Sequence, residues 1–461
     1  MAAVRRIAVL DVGRTHTRVA LVEAATGAVL SVDTWSSAAS LHGPYPHLEV
    51  ERTEARLFES LRSLVDKDTP PDAIVPVTHG ASAALLDGEA LALPVLDYTA
   101  PLPSLPVPAE HFAETLSPPL PGALNLGSQL AWLEAQHAEA FGRADTLLPY
   151  PQYWAWRLSG ARAAEVTSLG CHTHLWDPRG AHPSRLATER GWDRLLPPLA
   201  RADAVVGTLL PHVQEATGLP GSTQVLAGIH DSNAAWWSHR RGRETPFSVV
   251  STGTWTIVMA SRTPLERLRA EQDQLANVEV GGAPVATMRF PGGLEREALL
   301  RGAGGVENAD APASIDADLL PTLREGTLAL PAFDPSGGPF RSRRGEVTGP
   351  GSRPRGVAAL YGAWMIDLCL DELGAVAGDV IVEGPGARDD ALLAALATLR
   401  APQSVLRSTD PSGSLRGAAA LAVPSLPAAP IAPVTPLEGE DAELLIGRTR
   451  DWRRRVEGDE D

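Results

Sequence analysis

The sequence predicts an α/β protein built from two related domains, and three observations predict it. An apolar run, a short polar turn and a second apolar run occupy Ile7–Glu23, IAVLDVGRTHTRVALVE. The same design returns at Phe247–Ala260, FSVVSTGTWTIVMA. Each hairpin is later followed by a helical pattern and a buried strand ending at glycine, Glu51–Gly80 after the first and Val357–Gly386 after the second. Uninterrupted apolar runs of this kind suit strands covered on both faces. The repetition divides the chain into domains 1–244 and 245–461.

Taken in order, Ile7–Leu10 and Val19–Val22 are the first two strands and Ala28–Trp35 the third. Glu51–Val65 reads as a helix, with Leu57, Leu61 and Leu64 at helical spacing, and Ala73–Thr78 as a buried strand. A further strand is expected at Leu91–Tyr98. Thr99–Gly122 is crowded with proline and reads as an irregular surface excursion. Leu124–Glu139 is expected to be helical, and Leu147–Leu158, LLPYPQYWAWRL, to bury its aromatics around Gln152. Gln224–Ser238, QVLAGIHDSNAAWWS, reads as a short strand, a turn at Gly228 and a helix from Asp231 or Ser232. In the second half, Val357–Leu373 is a helix and Val380–Val382 a strand ending in Glu383-Gly384-Pro385-Gly386. Asn277–Gly345 shows little periodicity. Val423–Pro436 reads as a Pro/Ala strap, and Asp441–Val456 as a closing helix whose arginines form a solvated face.

Composition narrows the function. At 461 residues with 44% hydrophobic side chains the chain can bury more than one core. A net charge of −16, with pI ≈ 5.2, speaks against a general binder of nucleic acid or anionic membranes, so an anion site must be local. Cys171 and Cys369 are too few for a disulfide framework. No run approaches a membrane span, and Arg5–Arg6 leads straight into a strand, so a cytoplasmic protein is expected. Lys67 is the only lysine. P-loop, protein-kinase and Schiff-base chemistries each need a lysine in a context missing here.

The turns carry the chemistry. In DVGRTHTR, Gly13 lets the backbone approach an anion, while Thr15, Thr17, Arg14 and Arg18 add donors. A carboxylate in such company, Asp11, makes sense with a divalent cation between it and phosphate. The same Asp and Thr side chains also suit an ordinary turn that bonds its own backbone. His79 stands beyond a strand end, where ligands of open α/β sheets gather. Asp231 at a helix start is an N-cap, or a carboxylate kept ionised by the helix dipole and able to take a proton from a hydroxyl. Cys171, His172 and His174 match no common zinc spacing. Two phosphate-holding turns suit a nucleotide better than one.

Together, DVGRTHTR, STGTW, EGPGARDDALL and GIHDSNAA resemble the FGGY family of carbohydrate kinases in the actin-like ATPase superfamily, over most of the chain. The resemblance implies two ribonuclease-H-like domains facing each other across a nucleotide and sugar cleft. It also implies ATP and Mg2+ as cofactors, with Asp11 and Asp231 on the metal and Asp231 as catalytic base. Nucleotide contacts fall on Asp11, Gly13, Arg14, Thr15, Thr17, Arg18, Thr252, Gly253, Thr254, Gly384, Gly386 and Arg388. Sugar contacts fall on His79, Asp97, Gln152, His230 and Asp231. Gln152 replaces an Asp usual in that segment, Pro385 interrupts a run of glycines, Asp389 stands where Asn is common, and Arg14 takes the place of a small residue. The expected activity is ATP-dependent phosphorylation of a hydroxyl on a small ketose of the rhamnulose, fuculose, xylulose or ribulose kind. The alternatives are a phosphohydrolase of the superfamily and a non-catalytic nucleotide sensor. Sugar and ATP are the expected partners, without nucleic acid or membrane, and the oligomeric state is open, a homodimer included.

Overall fold

The computed structural model describes residues 4–64, 69–103, 109–302, 311–410 and 412–458. The chain forms two compact units. The first comprises residues 1–241 together with 276–284 and 412–428, and the second residues 242–275, 285–411 and 429–461.

The first unit is organised by a mixed sheet in the order Val205–Thr208, Gln224–Leu226, Ala73–Thr78, Arg6–Val12, His16–Glu23, Val29–Ser36. The hairpin Arg6–Val12/His16–Glu23 is antiparallel, with Asp11 opposite Arg18. Arg6–Val12 runs parallel to Ala73–Thr78, and the crossover between them includes the helix Val50–Leu64, which buries Leu57, Phe58 and Leu61. All six residues of Ala73–Thr78 are buried, as a strand covered on both faces requires. The β-β-β-α-β order therefore stands, with two two-residue strands added at Ala39–Ser40 and His47–Leu48.

The second unit repeats the pattern. Its sheet contains, in order, Pro284–Phe290, Thr256–Ala260, Phe247–Ser251, Asp379–Glu383, Val405–Ser408 and Ile431–Pro433. Phe247–Ser251 and Thr256–Ala260 form the second antiparallel hairpin, and Asp379–Glu383 lies parallel to the first of them. The intervening helix, Pro354–Glu372, is apolar nearly all round and buried over most of its length.

Four expectations are corrected. Leu91–Tyr98 is not one continuous strand: Leu91 ends the two-residue strand Ala90–Leu91, Leu96 makes a single antiparallel bridge to His47, and Pro94 between them has no amide to give a ladder. The strand lies earlier, at Ala83–Asp87, paired with Thr146–Pro149. The proline-rich excursion contains a helix, Ala109–Thr115, in a stretch its prolines leave free. The tail strap contributes Ile431–Pro433 as an edge strand against Val405–Ser408. The closing helix, Gly439–Glu457, is not simply a solvated cationic face. Arg453 bonds Asp367 and Asp371 at 2.7 and 2.8 Å, two carboxylates that Arg400 also engages. Lys67 lies outside the described residues. Among the described residues, no helix is long and apolar enough to cross a membrane.

Trp452 anchors that closing helix. It is buried, stacks on Trp364 at 5.5 Å and donates its indole N–H to the Ala329 carbonyl at 2.7 Å. Trp452→Ala is expected to destabilise the protein by about 3–5 kcal/mol, read as a lower denaturant midpoint. A midpoint within error of the parent would show that the helix is not anchored there.

Candidate functional site

In the first unit the site is built on a deliberate break in a strand. Gln224–Leu226 and Ile229–His230 both pair with Ala73–Thr78, but the chain between them swings out at Gly228, φ +87°. A Cβ on Gly228 would stand 2.5 Å from the Pro76 carbonyl oxygen, so only glycine fits. The two carbonyls at the break, of Ala227 and Gly228, accept hydrogen bonds from the amide of Gln152 at 3.0 and 3.3 Å. Gln152 is fully buried and supports the turn from behind.

The helix Asp231–Arg240 starts immediately after the break. Asp231 is its first residue, with a side chain 38% exposed. Its Oδ1 accepts from the Ser232 amide at 2.6 Å and the Ser232 hydroxyl at 3.2 Å, and stands 3.0 Å from His230 Nε2. None of its hydrogen bonds to described residues uses Oδ2. Burial opposes ionisation, but the adjacent His230 outweighs it and holds the Asp231 carboxyl below the usual range. His230 is raised well above its ordinary value against its own burial, because Cys171 and Asp231 flank it. The Cys171 thiol, also buried, is drawn down to about 6 by His172 and His230.

His79 joins this cluster. Its ring packs edge-on to Tyr98 at 5.0 Å and against Tyr150 at 5.2 Å, and burial lowers its pKa. Nδ1 meets the Gly80 carbonyl at 2.9 Å and must carry the proton there, so Nε2 of the neutral ring is an acceptor.

The first hairpin turn is tied down. Gly13 N–H donates to the His16 carbonyl at 3.1 Å, and Thr17 meets Ser37, whose hydroxyl donates to the Gly13 carbonyl. Thr15 is exposed. Arg18 pairs with Asp11 at 2.7 Å, and the Ser414 hydroxyl, from the returning segment 412–428, lies 2.8 Å from Arg18 and 3.2 Å from Asp11. Burial pushes the Asp11 carboxyl up despite Arg18, and Asp231 adds to that shift. Arg14 grips Asp97 with both arms of its fork, at 2.8 and 2.6 Å, and Thr99 bonds the same carboxylate. Arg14 is thus held by Asp97 rather than standing free. Asp231 lies near enough to raise the Asp11 carboxyl, and carboxylates are hard oxygen donors of the kind Mg2+ takes alongside phosphate oxygens. Among the described residues no group of three His, Cys, Asp or Glu side chains is disposed to hold a metal. His172 and His174 face the Leu124 and Pro118 carbonyls.

The second unit contains its own cavity of about 700 Å³, lined by Gly253, Thr254, Gly293, Tyr361, Gly386 and Arg388 among others. Thr252 builds its wall: the hydroxyl donates to the Glu383 carbonyl and accepts from Gly386 N–H at 2.8 Å. Gly384, at φ +77°, leaves no room for a Cβ, which would lie 2.1 Å from the Thr252 carbonyl oxygen. Sequence reasoning missed Gly292 and Gly293, which open the helix Gly292–Gly302. A Cβ on either would come within 2.3 Å of Thr256 or Gly253, and this adjacent glycine pair was the available signal. Asp389 caps the helix Asp390–Arg400 through Leu392 N–H at 3.0 Å and also takes Ala313 N–H.

The fold and these turns define an α/β protein of the actin-like ATPase type. A family profile described as "Carbohydrate kinase FGGY, C-terminal domain" matches residues 244–430. A carbohydrate kinase from Novosphingobium aromaticivorans has a crystal structure 34% identical, covering 99% of this chain and 100% of that one at a TM-score of 0.86. A xylulose kinase from Rhodospirillum rubrum, at 18% identity and TM-score 0.79 over 98% and 99% of the two chains, shares the fold. An L-fuculokinase of Salmonella typhi is 26% identical over 266 residues, 55% of this chain. The chain spans about half that relative's length, 56%. The chain belongs to the FGGY family of carbohydrate kinases.

Beneath the cavity, Glu295 is buried, accepts Phe333 N–H at 3.0 Å and is pushed up to about 7 by burial. Its ordinary value is near 4.5, so the folded state holds this proton more tightly than the unfolded one. The stabilisation is present at low pH and is lost as pH rises through about 7. Glu295→Gln, which mimics the protonated acid, should melt progressively higher than the parent as pH goes from acid to alkaline. Parallel melting curves against pH would refute the assignment.

Proposed function

We propose that this protein transfers the γ-phosphoryl group of ATP to a hydroxyl of a small ketose. The observation that carries the reading is the Asp231 carboxylate: one oxygen is fixed by three donors, the other is uncommitted, and it stands at the start of a helix, near enough to His79 for each to feel the other's charge. The relatives named as an L-fuculokinase and a xylulose kinase support a ketose as the acceptor.

Asp231 Oδ2 takes the hydroxyl proton as the sugar oxygen attacks the γ-phosphorus in line. His230 keeps the carboxylate ionised until then. His79 accepts a hydrogen bond from a neighbouring hydroxyl and orients the ring, with Tyr98 and Tyr150 packed about it. Asp97 acts through Arg14, and Gln152 holds the turn that presents Asp231. The residues 1–244 supply the sugar and first phosphate contacts. Those of 245–461 supply the nucleotide contacts: Thr252–Thr254 and the N-terminus of Gly292–Gly302 toward phosphate, and Gly384, Gly386 and Arg388 toward the nucleoside. Asp11 would hold Mg2+, which when bound neutralises phosphate charge, while Asp231 Oδ2 stays free for the proton. The cytoplasm supplies both substrates.

The test is ADP release from Mg-ATP across ketoses, polyols and aldoses, beside a control without sugar. One ketose should stimulate release strongly. Asp231→Asn should remove that stimulation by about 10²–10⁴-fold and leave ATP affinity intact. Equal release with and without every sugar would overturn the reading. Thr254→Val should raise the Kd for ATP by about tenfold through loss of one phosphate hydrogen bond. Unchanged affinity would remove the second hairpin from the nucleotide site.

A further inference from the structure

Behind the Asp231 turn lies a layer of buried polar side chains with no part in the steps above: Glu165, Thr167, Cys171 and Asn233. They form a chain of contacts that ends on the His230 ring. Glu165 caps the short turn Val166–Leu169. Its carboxylate accepts from Thr167 N–H at 3.0 Å, from Ser168 N–H at 3.3 Å and from the Thr167 hydroxyl at 2.5 Å. The Thr167 hydrogen is therefore committed, and its oxygen accepts His230 N–H at 3.1 Å. Around the imidazole, Asn233 Nδ2 stands 3.1 Å from Nδ1, and Cys171 Sγ stands 3.3 Å from Nε2.

That same Nε2 is 3.0 Å from Asp231 Oδ1. A ring nitrogen against a carboxylate carries the proton, so Nε2–H is shared between oxygen and sulfur, and Cys171 acts there as an acceptor. The ring has no slack on its remaining side. A Cβ on Gly80 would fall 2.7 Å from Cys171 Sγ and 3.1 Å from His230 Nε2.

Resting on the kinase reading, we infer that Thr167 and Cys171 are positioning residues for phosphoryl transfer. They lock the His230 backbone and ring so that Nε2–H pins Asp231 Oδ1 and turns Oδ2 toward the sugar hydroxyl. Neither residue touches substrate. Thr167 fixes where the turn begins and Cys171 fixes the plane of the ring. Displacing a reacting group by a fraction of its bond length costs turnover more than affinity, because alignment is needed only as the phosphoryl group moves.

The experiment measures kcat and KM for sugar-stimulated ADP release with the full chain, for the parent and for Thr167→Val, Thr167→Ser, Cys171→Ala and Cys171→Ser, each with a thermal melt. Thr167→Val and Cys171→Ala should lower kcat by about tenfold or more while both KM values stay within about twofold. Thr167→Ser, which keeps the hydroxyl, should restore kcat. Cys171→Ser should fall between the parent and Cys171→Ala. If Thr167→Val does not fold, the Cys171 pair decides. An active parent whose folded variants keep the parental kcat would overturn this inference alone. So would kcat and KM shifting together without rescue by serine. A parent with no sugar-stimulated release would overturn the kinase reading and this inference with it.

Discussion

One hydrogen bond organises the first unit: from the buried His230 ring to Oδ1 of the half-exposed Asp231. For it to form, a strand must stop at Gly228, the freed carbonyls must find the Gln152 amide, and a helix must begin at Asp231 itself. Each condition places a polar group where the core would otherwise be apolar. The freed carbonyls and Asp231 Oδ1 find partners inside hydrogen-bond distance, which is what makes their burial tolerable, while the Gln152 amide oxygen has none among the described residues. The result is a carboxylate with one face committed to the protein and the other committed to nothing.

The second unit solves a different problem with different means. Its cavity is shaped in part by backbone packed on backbone, with Gly293 against Gly253 and Gly384 against Thr252, beside longer side chains such as Tyr361 and Arg388. A chain with a single lysine relies on main-chain donors and on arginine. The arginines of the site in the first unit are already paired, Arg14 with Asp97 and Arg18 with Asp11, which fixes their geometry before any ligand arrives.

Much of this was legible in the sequence. The duplicated hairpins, the helices that follow them and the buried strand Ala73–Thr78 carried strong local signals, because period and turn chemistry agreed. The glycine-bearing turn before Asp231 was legible for the same reason. What escaped were interactions between distant positions. Nothing around Arg14 announces Asp97, and nothing around Ser414 announces Asp11. Leu91–Tyr98 looked like one strand because burial and strand formation share one signal, and Pro94 was the hint that it breaks. Arg453 looked solvated because its partners, Asp367 and Asp371, lie on another helix.

The first unit is also unfinished until late in the chain. The helix Ser414–Ala422 packs so closely on the helix of Asp231 that a Cβ on Gly417 would stand 1.7 Å from the Ala234 carbonyl oxygen. Leu415, Ala418 and Ala419 belong to the same apolar cluster as Ile7 and Val9. During synthesis, which runs from the N-terminus, the opening strands must therefore wait for residues made about 400 positions later. A nascent chain stalled at residue 241 would present that apolar face bare, a surface of the sort chaperones hold, and Ser414, whose hydroxyl reaches Asp11, would not yet exist.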